Sequence, residues 1–183
     1  MKTYEIDSLE DLKKFKDEFG YSVEGNLEVS CNLEIEGRLF VTGYLSIEAG
    51  GWIKAGSSIK AGGWIEAGGS IEAGGWIEAG GSIEAGGSIE AGDSIEAEDG
   101  GIVAFLSITC KGTLSAGLRI FAGVCNWREI DDDDKTITCA QLLRGTIEHG
   151  ILKETGLEEW KDEGKKVKIK LDDGQVVTGI VIE

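Results

Sequence analysis

No proline occurs in this 183-residue chain, and histidine and methionine each occur once. Without proline, every residue after the first carries a backbone N–H for a hydrogen-bond ladder. His149 is the single histidine, and none of Cys31, Cys110, Cys125 and Cys139 forms a Cys-x-x-Cys pair, so a zinc cluster is not expected. The thiols read as reduced core filler. Positive charge is scarce: 18 Lys and Arg against 34 Asp and Glu leave a net charge of −16. That balance speaks against binding nucleic acid through its phosphates and against an anionic membrane surface. It favours a protein partner with a basic surface. No apolar run approaches the ~18 residues of a membrane span. The N-terminus (MKTYEIDSLEDLKKFKDEF) lacks the apolar stretch of a signal peptide. The expected location is cytoplasmic.

Catalytic signatures are missing too. There is no Gly-x-Ser-x-Gly, no Walker loop and no His-Glu-x-x-His. The Asp131–Asp134 run, followed by Lys135 in a string that matches an enteropeptidase recognition sequence, lacks the central glycine of a calcium loop. Neither catalytic, cofactor nor metal residues are expected, and the chain reads as a non-enzyme.

What is present is a repeat. From Leu27 the chain divides every six residues: LEVSCN, LEIEGR, LFVTGY, LSIEAG, GWIKAG, SSIKAG, GWIEAG, and so on to DSIEAE. In this division the third place holds Val29, Ile35, Val41 and Ile47, then isoleucine at every sixth residue from Ile53 to Ile95. After DGGIVAF come LSITCK, GTLSAG and LRIFAG. A period of six excludes an amphipathic helix, and recurring Gly-Gly disfavours any helix. Short strands joined by corners fit it, with β-branched isoleucine in the strand and glycine in the corner.

The small–x–Ile–Glu–x–x pattern of residues 27–126 resembles the hexapeptide repeat of left-handed parallel β-helices. The resemblance implies three hexads per 18-residue coil and a left-handed sense. The expected fold is therefore mainly β: a β-helix over 27–126, an N-terminal cap helix within 1–26, and a C-terminal α+β appendage over 127–183. In the cap, Ser8 and Asp11 form a capping-box-like start, and Leu9, Leu12, Phe15 and Phe19 fall on one helical face. Residues 135–144 read as a helix after the acidic run. KVKIKL–DDG–QVVTGIVIE reads as a hairpin turning at Asp173–Gly174, which either closes the far end or pairs two chains as a homodimer.

If the third place faces inward, the next faces outward. Stacked by 18, the outward columns are Glu48/Glu66/Glu84, Lys54/Glu72/Glu90 and Lys60/Glu78/Glu96. Three carboxylates per ~4.8 Å coil approach the charge density of duplex DNA, although duplex phosphates follow two grooves and these would surround the rod. Trp52, Trp64 and Trp76 occupy the place before isoleucine and are expected to be exposed on three different faces. Glu66, Glu72, Glu78, Glu84 and Glu90, with Trp52, Trp64 and Trp76, are the candidate partner-binding residues. The alternative for the carboxylates is a solvated surface that keeps rods apart.

Three further resemblances bear on function. The LSITCK…LRIFAG…CNW segment, within residues 105–127, is similar to small proteins of phages and mobile elements, anti-CRISPR inhibitors of type II effector nucleases among them. It implies inhibition in a bacterial host cell, by occupying a basic channel built for DNA. Bactofilin-like cytoskeletal proteins are also short-repeat solenoids and imply a self-assembling scaffold. Hexapeptide-repeat acyltransferases resemble the coil as well, but they use a histidine in or beside it, and this chain has none between residues 27 and 126.

Overall fold

The computed structural model describes residues 1–156 and the backbone of strands Lys166–Lys170 and Val176–Ile180. It is a parallel β-solenoid of about eight turns. Each repeat contributes a three-residue strand such as Ile71–Ala73, in which Ile71 and Ala73 are buried and Glu72 between them points out. The alternation follows from the two-residue period of a strand.

Strands three apart in sequence pair in parallel and in register, so three rows run along the rod. Ile71 pairs with Ile53 and with Ile89. Ile77 pairs with Ile59 and Ile95 on a second row, and Ile83 with Ile65 on a third. The corners are tied in the same way: the Gly74 amide donates to the Ala55 carbonyl at 2.9 Å and the Gly75 amide to Ser57 at 3.0 Å. Strand and corner amides alike therefore find partners in the coil before or after, as buried backbone groups require.

The strand frame shifts in the first hexads. Leu33, Leu39 and Leu45, not Ile35, Val41 and Ile47, pair with Ile53, Ile59 and Ile65. Ile35, Val41 and Ile47 instead pair with Ala55, Ala61 and Ala67. In a Leu-x-Ile hexad both apolar places are inward, so a period of six does not say which begins the strand. The two extra residues sit in a turn where the Gly51 amide donates to Glu48 and Gly50 has φ +83°. A positive φ at the third position of such a turn is a glycine conformation. The DGG step adds one more residue, so that Ile83 pairs with Ile102.

Solenoid pairing also extends beyond residues 27–126. Thr3–Ile6 pairs with Asn26–Val29, and Gly20–Val23 with Arg38–Val41. Thr136–Cys139 lies on Ile108–Cys110, Gln141–His149 on Thr113–Ala122, and Ile151–Glu154 on Thr136–Cys139. The helix expected over 135–144 is thus not formed. Thr-Ile-Thr-Cys at 136–139 repeats the Ile-Thr-Cys of 108–110, and burying Ile137 and Cys139 in those columns outweighs the acidic start.

The cap is shorter than expected. An α-helix, Leu9–Leu12, gives way to a 3₁₀ turn, Lys13–Phe15. Ser8 Oγ accepts from the Asp11 amide and donates to Asp11 Oδ2 at 2.7 Å. Leu12 is fully buried and Phe15 packs on the core; Leu9, at the start of the helix, is exposed, and so is Phe19, because the helical phase ends at Phe15. Phe19 lies against the Arg38 guanidinium, and Gly20 opens a strand instead of ending a helix. At the other end, Lys166–Lys170 and Val176–Ile180 pair antiparallel, as the hairpin reading requires. The Asp173–Gly174 turn lies outside the described residues.

Candidate functional site

The outward place of each strand decides the surface. In two successive coils it holds only glutamate, on all three rows: Glu66, Glu72 and Glu78, then Glu84, Glu90 and Glu96. Register sets Glu66 beside Glu84, Glu72 beside Glu90 and Glu78 beside Glu96. This is a belt, not a continuous sheath. One coil further, Val103, Thr109 and Ser115 take the same places. On the N-terminal side stand Ser46, Lys54 and Lys60. The duplex-like charge density therefore holds for two coils only. Glu48 does not join the Glu66 column, because the frame shift puts Ser46 there.

The lysines partly neutralise two rows. Lys54 Nζ lies 3.0 Å from Glu72, and Lys60 pairs with Glu78. Hydrogen bonds to these carboxylates raise both ammonium pKa values, so both lysines stay charged. The row with Ser46 has no such lysine.

The tryptophans lie on three different rows, before Ile53, Ile65 and Ile77. Trp64 and Trp76 are 45% and 47% exposed, while Trp52 is half-buried. Trp64 stacks on Tyr44, with ring centroids 4.3 Å apart and planes 9° from parallel. The Tyr44 hydroxyl in turn donates to Glu28 Oε1 at 2.5 Å, and that bond raises its pKa.

Sequence reasoning missed a second surface. Val103 and Phe121 take the outward place of the glutamate row, and Leu118 at the adjoining corner is 62% exposed. Phe105 stacks on the exposed ring of Trp127, centroids 5.3 Å apart. The signal was legible in Ile-Val-Ala and Ile-Phe-Ala, which put an apolar residue where the repeat has glutamate.

Among the described residues, no group of three or more His, Cys, Asp or Glu is placed to hold a metal ion. His149 ends a strand with Nδ1 2.6 Å from the Ala122 carbonyl oxygen. Cys110 and Cys139 are buried in adjacent coils. Burial pushes the Cys110 thiol up to about 12, with the neighbouring Cys139 adding to it. Cys31, read as core filler, is only partly so: it packs against the core from outside the strand rows. It sits in a corner, half-buried, since Ile35 pairs with Ala55.

No protein-family model, curated protein or solved structure matches this chain.

Proposed function

We propose that this chain is a non-enzymatic acidic binding protein. In a bacterial host cell it docks in a basic site of a nucleic-acid-handling defence protein, a CRISPR effector nuclease foremost, and inhibits it by occupying that site. The observation that carries the reading is the two-coil belt. Six carboxylates, two on each of the three rows, are held at strand spacing in adjacent like-charged pairs that cost stability. A surface serving solubility alone does better with the two signs interspersed. Attraction to a basic channel speeds encounter and weakens as salt screens it. Exposed Trp64 and Trp76 add apolar anchors beside the charge. The test is capture of a CRISPR nuclease across a salt series, paired with a DNA-cleavage assay. Retention that falls with salt and loss of cleavage support the reading; undiminished cleavage at any excess of this protein overturns it.

A scaffold reading draws on the last coil. Leu143 and Leu152 are exposed on strands whose outer edges have no partner among the described residues. The first coil, by contrast, is covered by Leu12 and Phe15. An end left unpaired among the described residues supports a pair of chains joined through their C-terminal ends, whereas a bactofilin-like filament needs two such ends. Electron microscopy separates these: filaments establish the scaffold, and discrete particles remove it.

A further inference from the structure

We infer that a groove along one corner of the rod is a socket for an arginine side chain of a basic partner protein. This deepens the binding reading above and rests on it. The groove has a volume of about 530 Å³. Trp64 closes one end and Leu118 the other, with Gly81, Ser82 and Gly100 as the floor. These residues come together because the corner stacks coil on coil. A Cβ on Gly81 would meet the Trp64 amide at 3.4 Å, one on Gly100 would meet the Ser82 amide at 2.3 Å, and the Leu118 amide donates to Gly100 at 3.0 Å. Two large apolar residues thus face each other across a floor of small ones.

The side wall is acidic: Glu66, Glu84 and Asp99. Among the described residues none of the three forms an ion pair. The other glutamate rows each have a lysine beside the belt, but this one has Ser46. Among the described residues the charge in the groove is therefore uncompensated, and a cation is what a partner supplies.

The chemistry selects arginine. Tyr44 covers the indole of Trp64 from the preceding coil, while Gly81 and Ser82 continue the groove toward the next, so the second indole face is turned to it. A planar guanidinium stacks on such a face and donates in a fork to carboxylates, whereas an ammonium is a compact, strongly hydrated point charge. The aliphatic stem of the arginine lies toward Leu118.

A tetra-arginine peptide, titrated while the indole N–H resonances are followed by NMR, tests this. The expected result is a shift of the Trp64 resonance. Affinity is expected to fall about tenfold in Glu66→Gln/Glu84→Gln and in Trp64→Ala, but less than about twofold in Glu72→Gln/Glu90→Gln on another row. Equal losses in the two glutamine pairs would show diffuse attraction and overturn the socket. So would an equal response to a tetra-citrulline peptide, or to tetra-lysine. A socket that behaves as expected in a protein that leaves nuclease cleavage intact overturns the inhibitor reading alone. Inhibition unchanged in the Trp64 and Glu66/Glu84 variants, with no Trp64 shift, overturns the socket alone.

Discussion

The carbonyl oxygen of Gly68 lies 2.1 Å from where a Cβ on Gly86, one coil later, would be. Gly74 and Gly92 meet their own neighbours at the corresponding corners in the same way, whereas a Cβ on Gly81 would find nothing nearer than 3.4 Å. Gly86→Ala is therefore expected to destabilise by about 1–3 kcal/mol, as overpacking against backbone does. Gly81→Ala is expected to stay within about 0.5 kcal/mol of the parent. Urea unfolding measures both, and equal stability of the two variants would show that the coils are not in close contact here.

Glu66 has Glu84 on one side and Ser46 on the other, while Glu72 lies between Lys54 and Glu90. Among the described residues Glu66 has no ion-pair partner, so neutralising it removes repulsion. Glu66→Gln should raise the thermal midpoint at low salt, on the order of 0.5 kcal/mol. Glu72→Gln loses the Lys54 pair and should give no gain. Both differences should vanish near ~1 M salt, where screening reaches within ~3 Å. A Glu66→Gln variant less stable than the parent would contradict the repulsion argument.

The four thiols should react in two classes. Cys31 and Cys125 are half-buried and Cys110 and Cys139 are buried; burial raises the pKa of Cys110 and Cys139, and that of Cys31 too, so access separates the classes. Since the thiolate is the nucleophile, Cys110 and Cys139 should stay unlabelled by a thiol reagent at neutral pH until the coil unfolds. Mass spectrometry of the labelled peptides reads this directly, and early labelling of Cys110 would mean that the last coils open.

Asp134 is held by Arg128, whose two terminal nitrogens donate to it at 2.7 and 2.6 Å, and by the Asp131 amide at 3.2 Å. The Arg128 hydrogen bond comes first among the causes that lower its pKa. A lowered carboxylate pKa stabilises the folded turn above the ordinary value of ~3.9. That contribution is lost as pH falls through the lower, folded value. Carboxyl NMR shifts should put the Asp134 midpoint below that of a free aspartate, and Arg128→Ala should move it upward. An unmoved midpoint would show that the pair does not persist in solution.

From Ile53 to Ala97 the fold was legible almost residue by residue, because Ile-x-Ala has one large and one small inward place and its frame is unambiguous. It was not legible from Leu27 to Ile47, where two large inward residues make frames two apart equally apolar. The consequence reached the surface: moving the frame by two put Ser46 next to Glu66 in place of Glu48, so that row, which holds no lysine in either frame, lost one carboxylate. The strand at 136–139 was masked by the aspartates before it, although its likeness to residues 108–110 was there to be read. Of the candidate site, the glutamates take the outward places as read and Trp64 and Trp76 are exposed, whereas Trp52 is half-buried. Leu118 was not read as part of it, because a corner residue has no periodic signature of its own.

By itself the order of residues determined that the backbone turns every few residues around an aliphatic axis and that the outside is acidic. Local strand geometry and glycine sterics act within a single hexad, so they are present in the sequence. Only tertiary structure decided which residues of distant hexads stand side by side: that Trp64 rests on Tyr44, that Leu118 faces it across Gly100, and that Ser46, not Glu48, stands beside Glu66. Those contacts depend on the total number of residues in each coil, and a turn of five in place of three resets every neighbour that follows it.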